Sequence, residues 1–181
     1  MAASGGIDLG ELQARVPEVL RTPSGKVELA PPMLLADMAR AWADLGSPVP
    51  ELVIIGRRDL RSNNSWMHNL PTLAKGPYRC TALVHPADAA RLQLADGGLA
   101  QVDSDVGRIQ VQVEISADMM PGVVSLPHGW GHDLPGTQLS LAALRPGVNL
   151  NALLGDQARD PLSGNAVLSG VAIRMTALSA A

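Results

Sequence analysis

The sequence predicts a mainly β protein: a small closed barrel with a few short helices, preceded by an N-terminal helical appendage. Three observations lead there. Fourteen Pro and eighteen Gly among 181 residues demand many turns and short elements. One arm, Ile109, Val111, Val113 and Ile115 alternating with Gln110, Gln112 and Glu114, has the two-residue period of a half-buried strand. Several other brief aliphatic runs are separated by polar loops rather than by helical pattern, as in barrels and sandwiches. With no Phe, one Tyr and three Trp, aliphatic side chains must fill the core.

The appendage covers residues 1–50 and the barrel 51–181. Ile7 to Leu20 is weakly patterned. Turn chemistry at Arg21-Thr22-Pro23-Ser24-Gly25-Lys26 precedes a short Val27-Glu28-Leu29. Met33 to Leu45 reads as a helix, because Leu34, Met38, Trp42 and Leu45 recur at steps of three and four and form one apolar face. Gly46 and Pro48 end it. Leu52-Val53-Ile54-Ile55 is a continuous aliphatic run of the kind buried on both faces of a sheet. Gly56 to Asn69 is polar and without period. Thr81 to Val84 is a strand, and His85 to Leu92 a short helix with Pro86 in its first turn and Asp88 near the positive end of its dipole. Asp96-Gly97 turns the chain into a hairpin from Leu99 to Ile115. Pro121-Gly122 leads to a strand at Val123-Val124-Ser125-Leu126. A Gly-rich loop at 127–136 and a polar loop at 145–170 precede a last strand, Val171 to Met175.

Composition excludes several classes. A 46% hydrophobic share with 17% charged residues is globular. Net charge is −3 with scattered basic residues, so duplex nucleic acid is not expected as a partner. No aliphatic run approaches a membrane span, and the N-terminus lacks a leader pattern. A cytoplasmic location is therefore expected. One cysteine, Cys80, excludes an internal disulfide and a Cys-built metal or iron–sulfur site, and reads as a small buried hydrophobe. His128 and His132 are four apart, but the glycines between them disfavour the helix that would align them, so no metal site is expected.

Binding is expected on the long loops. The first gathers Arg57, Arg58, Asp59, Arg61, Ser62, Asn63, Asn64, Ser65 and Trp66 directly after a strand. Its guanidiniums match phosphate bidentately, its carboxylate suits a base edge, and its indole offers a stacking face. The same Ser and Asn residues also suit turn caps. In the second, glycines around His128 and Trp130 let backbone approach a ligand closely. In the third, Asn149, Asn151 and Asp160-Pro161-Leu162-Ser163-Gly164-Asn165 either read polar edges of a heterocycle or simply turn the chain. No nucleophile–base set, Walker loop or dinucleotide fingerprint is present.

The ordered series formed by Ile54 to Arg61, Arg61-Ser62-Asn63-Asn64-Ser65-Trp66-Met67-His68-Asn69, His85-Pro86-Ala87-Asp88-Ala89-Ala90-Arg91-Leu92, Asp96-Gly97, Pro121-Gly122-Val123-Val124, Pro127-His128-Gly129-Trp130-Gly131-His132-Asp133 and Asp160 to Asn165 resembles the C-terminal domain of bis-pterin molybdenum oxidoreductases. That group includes formate dehydrogenases and assimilatory nitrate reductases. The resemblance runs from about Arg21 to Met175 and implies a double-psi β-barrel. It also implies that molybdopterin guanine dinucleotide is bound by Arg57, Arg58, Asp59, Arg61, Ser62, Asn63, Asn64 and Ser65, by His128 and Trp130, by Asn149 and Asn151, and by Ser163 and Asn165. Ser169 and Gly170 lie where some members carry a basic contact that is absent here. The family's metal ligand and iron–sulfur cysteines lie in regions outside this chain. No catalytic or metal-ligating residue is therefore expected here, and the partners implied are catalytic and iron–sulfur domains of the same polypeptide or a partner subunit. Thr22-Pro23-Ser24-Gly25-Lys26-Val27-Glu28-Leu29 resembles the segment that precedes this domain in full-length enzymes, which favours an excised piece over a stand-alone subunit. The isolated chain is expected to hold the cofactor weakly or not at all, since much of so large a ligand would stay wet. The alternative is a non-catalytic double-psi barrel serving as a protein-interaction module or accessory subunit.

Overall fold

The computed structural model describes residues 5–6 and 8–178; the leader pattern sought at the extreme N-terminus and the start of the weakly patterned stretch at Ile7 fall outside or at the edge of them. The chain divides into two compact units, Met1–Ser47 and Pro48–Ala181.

Among the described residues the first unit contains one regular element, α1 (Pro32–Asp44), with Pro at its first turn. Arg40 bonds Asp37 and Asp44 at 2.7 and 2.8 Å, one helical turn to either side. The periodicity correctly marks the helix, but its apolar residues Leu34, Met38, Trp42 and Leu45 are all exposed, and α1 buries no residue. Spacing specifies a face; only a covering surface buries it.

The second unit is built on β1 (Val53–Arg57), α2 (Pro71–Ala74), β2 (Thr81–Val84), α3 (Pro86–Arg91), β3 (Leu99–Asp103), β4 (Arg108–Ile115), β5 (Val123–Pro127), β6 (Val171–Ala172) and β7 (Arg174–Ala177). The strands form one sheet in the order β6-β1-β5-β2-β4-β3-β7. Two pairs are parallel, β1 with β5 and β2 with β4, and the rest antiparallel. β6 and β7 lie at opposite ends of that order, yet only Ile173 separates them along the chain. Two peptide steps span about 7 Å, so the two edges must come together. The sheet is a closed barrel, and the double-psi β-barrel expected from the sequence is the observed fold.

Closure explains the pattern of burial. Each strand has one face inside the barrel, and the core is aliphatic as the composition required: Leu52, Ile54, Val84, Val102, Val111, Val113, Val124, Leu126, Ile173 and Met175. Ala82 and Ala100 belong to the same core. The expectation that Leu52 to Ile55 is buried on both faces is corrected, because Val53 and Ile55 lie on the outer wall and are half-buried. The Leu99–Ile115 hairpin forms in the register its alternation predicts, with Val111 and Val113 inward.

Helix α3 carries a small polar brace. His85 Nδ1 accepts from Ala87 N–H as the N-cap, and the buried Asp88 carboxylate accepts from Gly122 N–H at 2.7 Å and from Arg91 at 3.0 Å. Burial pushes Asp88 upward, but the Gly122 and Arg91 hydrogen bonds, the Arg91 charge and His85 outweigh it and hold the carboxyl below its usual range. This fastens α3 to the turn that launches β5. Of the short one-turn helices, Trp66–Asn69 and Leu150–Leu153 sit inside stretches that read as polar loop, and α2 and Ala142–Leu144 in stretches to which the sequence assigns no element. A single turn is too brief to show a period in sequence.

Candidate functional site

At one end of the barrel, Arg57 is the last residue of β1 and lies beside Pro127 of β5 in register. Its Nη1 donates to Ser125 O at 2.7 Å, and its Nη2 to Thr81 O at 3.0 Å and Thr81 Oγ1 at 3.3 Å. One guanidinium thus spans the seam between β5 and β2, which share a single paired position, Leu83 with Ser125. Burial lowers its proton affinity against the raising pull of Glu114, Cys80 and Asp59; an arginine so shifted remains a cation.

Three loops meet above this clamp, and glycines set how closely. A Cβ on Gly129, at φ +83°, would stand 2.0 Å from the Asn64 carbonyl oxygen. One on Gly131, at φ +102°, would stand 2.8 Å from Asn149 Cβ, and one on Gly147 would strike Trp130 and Cys80. Backbone therefore lies on backbone where the first loop meets the second and the second meets the third. His128 N–H donates to Arg57 O at 3.2 Å, and Gly131 N–H to Pro146 O at 2.7 Å. The Leu150–Leu153 turn that carries Asn151 is anchored by buried Leu150 and Leu153, and Gly107 passes under its Ala152 carbonyl, where a Cβ would come within 2.1 Å.

Beneath the junction is an aromatic cluster built on a buried histidine pair. His68 Nδ1 and His132 Nε2 share a hydrogen bond of 2.5 Å, both rings being 7% exposed. His68 stacks on Trp130 with ring centres 4.1 Å apart, and Tyr78 lies 6.0 Å from the indole. Burial, then the neighbouring His132, lowers the His68 affinity for a proton, with Asp59 and the Gly129 backbone opposing; burial lowers that of His132, with Asp133 opposing. Unfolded imidazoles bind protons below about pH 6.5 that the folded pair resists. The pair's stabilisation is therefore complete above that pH and is lost as pH falls through the depressed folded values. Between pH 7 and pH 5 the urea midpoint of the chain is expected to drop further than that of the His132→Gln variant. Equal drops would remove the histidine pair as the cause.

Three buried nitrogens lack a well-formed hydrogen bond among the described residues, His68 Nε2, His128 Nε2 and Trp130 Nε1, and of their rings only that of His68 has a backbone acceptor close by, at Gly129. Leaving such groups unpaired costs about 1–3 kcal/mol each, and all three belong to this junction. They are the groups a polar ligand would satisfy. Beside them opens a cavity of about 310 Å3, walled by His68, Trp130, Tyr78, Leu73, Leu141 and Ala142.

The residues expected to bind divide into distinct groups. Ser62 is buried, and its Oγ donates to Asp59 O, while Asp59 Oδ1 accepts from Arg61 N–H. Arg58 donates to Asn64 Oδ1. Asn63 and Asn64 both hold left-handed backbone, at φ +40° and +66°, bringing the Asn64 carbonyl to Gly129; Ser65 follows and accepts from His68 N–H. Asn149 caps the turn that begins with Leu150, its Oδ1 accepting from Asn151 N–H. These residues, with Arg57, His128 and Trp130, share one end of the barrel. Ser163 and Asn165 instead belong to a separate exposed turn, where Ser163 N–H and Oγ–H both donate to Asp160 Oδ1 and Asn165 N–H donates to Ser163 Oγ. Trp66 is 84% exposed, so Trp130 is the indole packed into the junction. His132 pairs with His68 and not with His128, and among the described residues no group of three or more His, Cys, Asp and Glu stands together to hold a metal. Sequence reasoning counted Asn69 among the amides of the first loop, weighed His132 only as a metal ligand beside His128, and gave no role to His68, Tyr78, Arg79 or Arg145. Asn69 Oδ1 accepts from both Leu141 and Ala142 N–H, tying the first loop to a segment 72 residues away. Cys80 is fully buried, and its sulfur accepts from Val148 N–H at 3.3 Å.

A closed barrel whose mouth is made of three interlocked loops, with unsatisfied nitrogens at their junction, defines a ligand-binding barrel domain. The family described as molydopterin dinucleotide binding domain matches residues 52–172. The chain belongs to that family, the dinucleotide-binding domain of molybdopterin oxidoreductases. It is 32% identical over 112 residues to a tetrathionate reductase chain of Salmonella typhimurium, covering 52% of this chain and 11% of that protein. It is 27% identical over 135 residues to dimethyl sulfoxide reductase DmsA of Escherichia coli, covering 63% of this chain and 16% of that one. Among solved structures, acetylene hydratase from Pelobacter acetylenicus superposes with a TM-score of 0.65 at 22% identity, covering 86% of this chain and 24% of that chain, and so shares the fold. The chain thus spans between a tenth and a sixth of the length of these reductases.

Proposed function

We propose that this chain is one domain of a larger molybdenum-dependent oxidoreductase and that its three-loop mouth holds the guanine dinucleotide form of the cofactor. The observation that carries the reading is the set of buried nitrogens without a well-formed hydrogen bond, His68 Nε2, His128 Nε2 and Trp130 Nε1, at the point where the glycine-packed loops converge. When bound, the metal–pterin group would supply the two-electron chemistry. The chain's own contribution is to present donors, to fix their positions and to keep water from the junction. Arg58, Asp59, Arg61 and Asn151 offer exposed or half-buried polar groups around it. Arg57 holds the strands beneath, with part of its guanidinium left for a ligand. The Ser163–Asn165 turn would be a peripheral contact.

The catalytic and iron–sulfur regions would come from the same polypeptide or a partner subunit, in the cytoplasm. The sequence resemblance points to formate- and nitrate-converting enzymes, whereas the named relatives include reductases of tetrathionate and dimethyl sulfoxide. A sulfur compound is therefore the substrate we favour. The test is the natural full-length product, purified and hydrolysed with acid. It should release guanosine monophosphate in proportion to molybdenum, two per metal for a bis-pterin site, and Asn151→Ala should lower both together. Full-length protein free of pterin would end the reading.

A further inference from the structure

The bond between His68 and His132 is, among the described residues, the one hydrogen bond that joins a side chain of the first loop to a side chain of the second. The two loops are fastened unequally on either side of it. His132 belongs to a well-tied segment. Its N–H and that of Gly131 donate to Pro146 O at 3.2 and 2.7 Å, and its carbonyl accepts from Thr137 Oγ1 at 3.2 Å. His68 instead closes a span held by two pins. At one end Asn69 Oδ1 accepts from Leu141 and Ala142 N–H, and at the other Asp59 closes a turn with Arg61 N–H and Ser62 Oγ–H.

Between the pins, Asn63 and Asn64 hold left-handed backbone, which L residues adopt at some cost. The bonds from Met67 N–H to Ser62 O and from His68 N–H to Ser65 O are local and travel with the span. Three contacts press the span onto the second loop: the Asn64 carbonyl against Gly129, His68 stacked on Trp130 at 4.1 Å, and the histidine bond itself.

Proton counting makes that bond conditional. The pair has four ring nitrogens, and in its neutral form one proton lies between His68 Nδ1 and His132 Nε2, whichever ring donates. A first added proton occupies an outer nitrogen, His68 Nε2 or His132 Nδ1, and leaves the bond in place. A second fills all four nitrogens, removes the acceptor and sets two cationic rings against each other.

The closed arrangement resists both protons. At His68, burial and then the His132 ring oppose the charge, and Arg79 adds to them, against Asp59 and the Gly129 backbone. At His132, burial opposes it against Asp133. Arg61, Lys75 and Arg145 line the same cavity as His68 and Arg79, so four cations gather there. Tyr78 supplies no compensating charge, because burial and then Cys80 push its hydroxyl up to about 12.

We propose that the His68–His132 bond is a two-proton latch on the barrel mouth, closed while the pair is neutral and opened by acid, when residues 63–68 lift from the second loop about the Asn69 and Asp59 pins and uncover Trp130. Imidazoles freed into solvent take up protons below about pH 6.5, whereas the closed pair does so only at lower pH. Closure is therefore complete above that value and is lost as pH falls. The latch is independent of which ligand the mouth takes.

Hydrogen exchange of the 181-residue chain, followed by nuclear magnetic resonance and corrected for the ordinary pH dependence of exchange, reads the opening at the buried Trp130 indole N–H. With two ordinary imidazoles in the open state, the opening constant should rise about sixtyfold from pH 6 to pH 5, against about eightfold for one. The amides of Val111 and Val113 in the barrel core should not follow. His132→Gln, whose amide keeps a donor and an acceptor, should reduce the rise to about eightfold, and His68→Gln combined with His132→Gln should leave none. A rise of about eightfold or less in the unaltered chain overturns the proposal, whether or not the double variant folds. So does acceleration of Val111 and Val113 in step with Trp130, which is unfolding of the barrel and not lifting of a loop. A pH dependence that survives in the double variant overturns it as well.

Discussion

Gly129→Ala is expected to destabilise the barrel unit by about 3 kcal/mol or more and, on the proposed reading, to lower the pterin content of the natural full-length product. Two effects add. The residue sits at φ +83°, where an L side chain is strained by about 1–2 kcal/mol. The new Cβ would also fall 2.0 Å from the Asn64 oxygen and 2.5 Å from its carbonyl carbon. Those are backbone atoms, so no rotamer change relieves the contact, and the first and second loops must part. Gly136→Ala supplies the control. Gly136 has φ +89° but open space around it, with nothing within 4 Å of where a Cβ would stand, so it reports backbone strain alone. Urea denaturation of both variants separates the two contributions. If Gly129→Ala costs no more than Gly136→Ala, close loop packing is not what shapes the mouth.

The second large effect is expected at Arg57. Arg57→Met keeps much of the aliphatic stem but removes every donor from the Ser125 and Thr81 carbonyls, whose residues are 4% and 6% exposed. Hydrogen bonds from a charged donor contribute about 1.5–3 kcal/mol each, so a loss of about 3 kcal/mol is expected after discounting for partial exposure. Arg57→Lys should recover less than half, because an ammonium on a single stem lacks the planar fork that reaches β5 and β2 at once. The decisive measurement is made on the cofactor-free chain. A residue that merely touched ligand would leave its denaturation midpoint unchanged, whereas a clamp across the seam lowers it with no ligand present.

Much of the barrel was legible because its signals are local. The alternation of Ile109 to Ile115 fixes both a strand and its inward face, and Thr81 to Val84 carries its own aliphatic run. The Pro86 and Asp88 helix likewise announces itself within a few residues. The candidate site was legible as three loops and no further. Arg57 illustrates why: an arginine after a strand reads as a free donor, and only the sheet order shows Ser125 and Thr81 carbonyls within its reach. His68 was passed over inside a polar run because its partner, His132, lies 64 residues away. Arg79 and Arg145 are 66 residues apart in sequence, and nothing in either neighbourhood hints that both line one cavity.

Sequence alone determined the aliphatic barrel, its turns and the identity of the polar loops, since these follow from short-range periodicity and from glycine and proline stereochemistry. Tertiary structure decided which loops touch, which guanidinium is a clamp, which imidazoles pair and where four cations gather. Those outcomes depend on distances between residues remote along the chain, fixed when Ile173 carries the last strand from one edge of the sheet to the other and closes it.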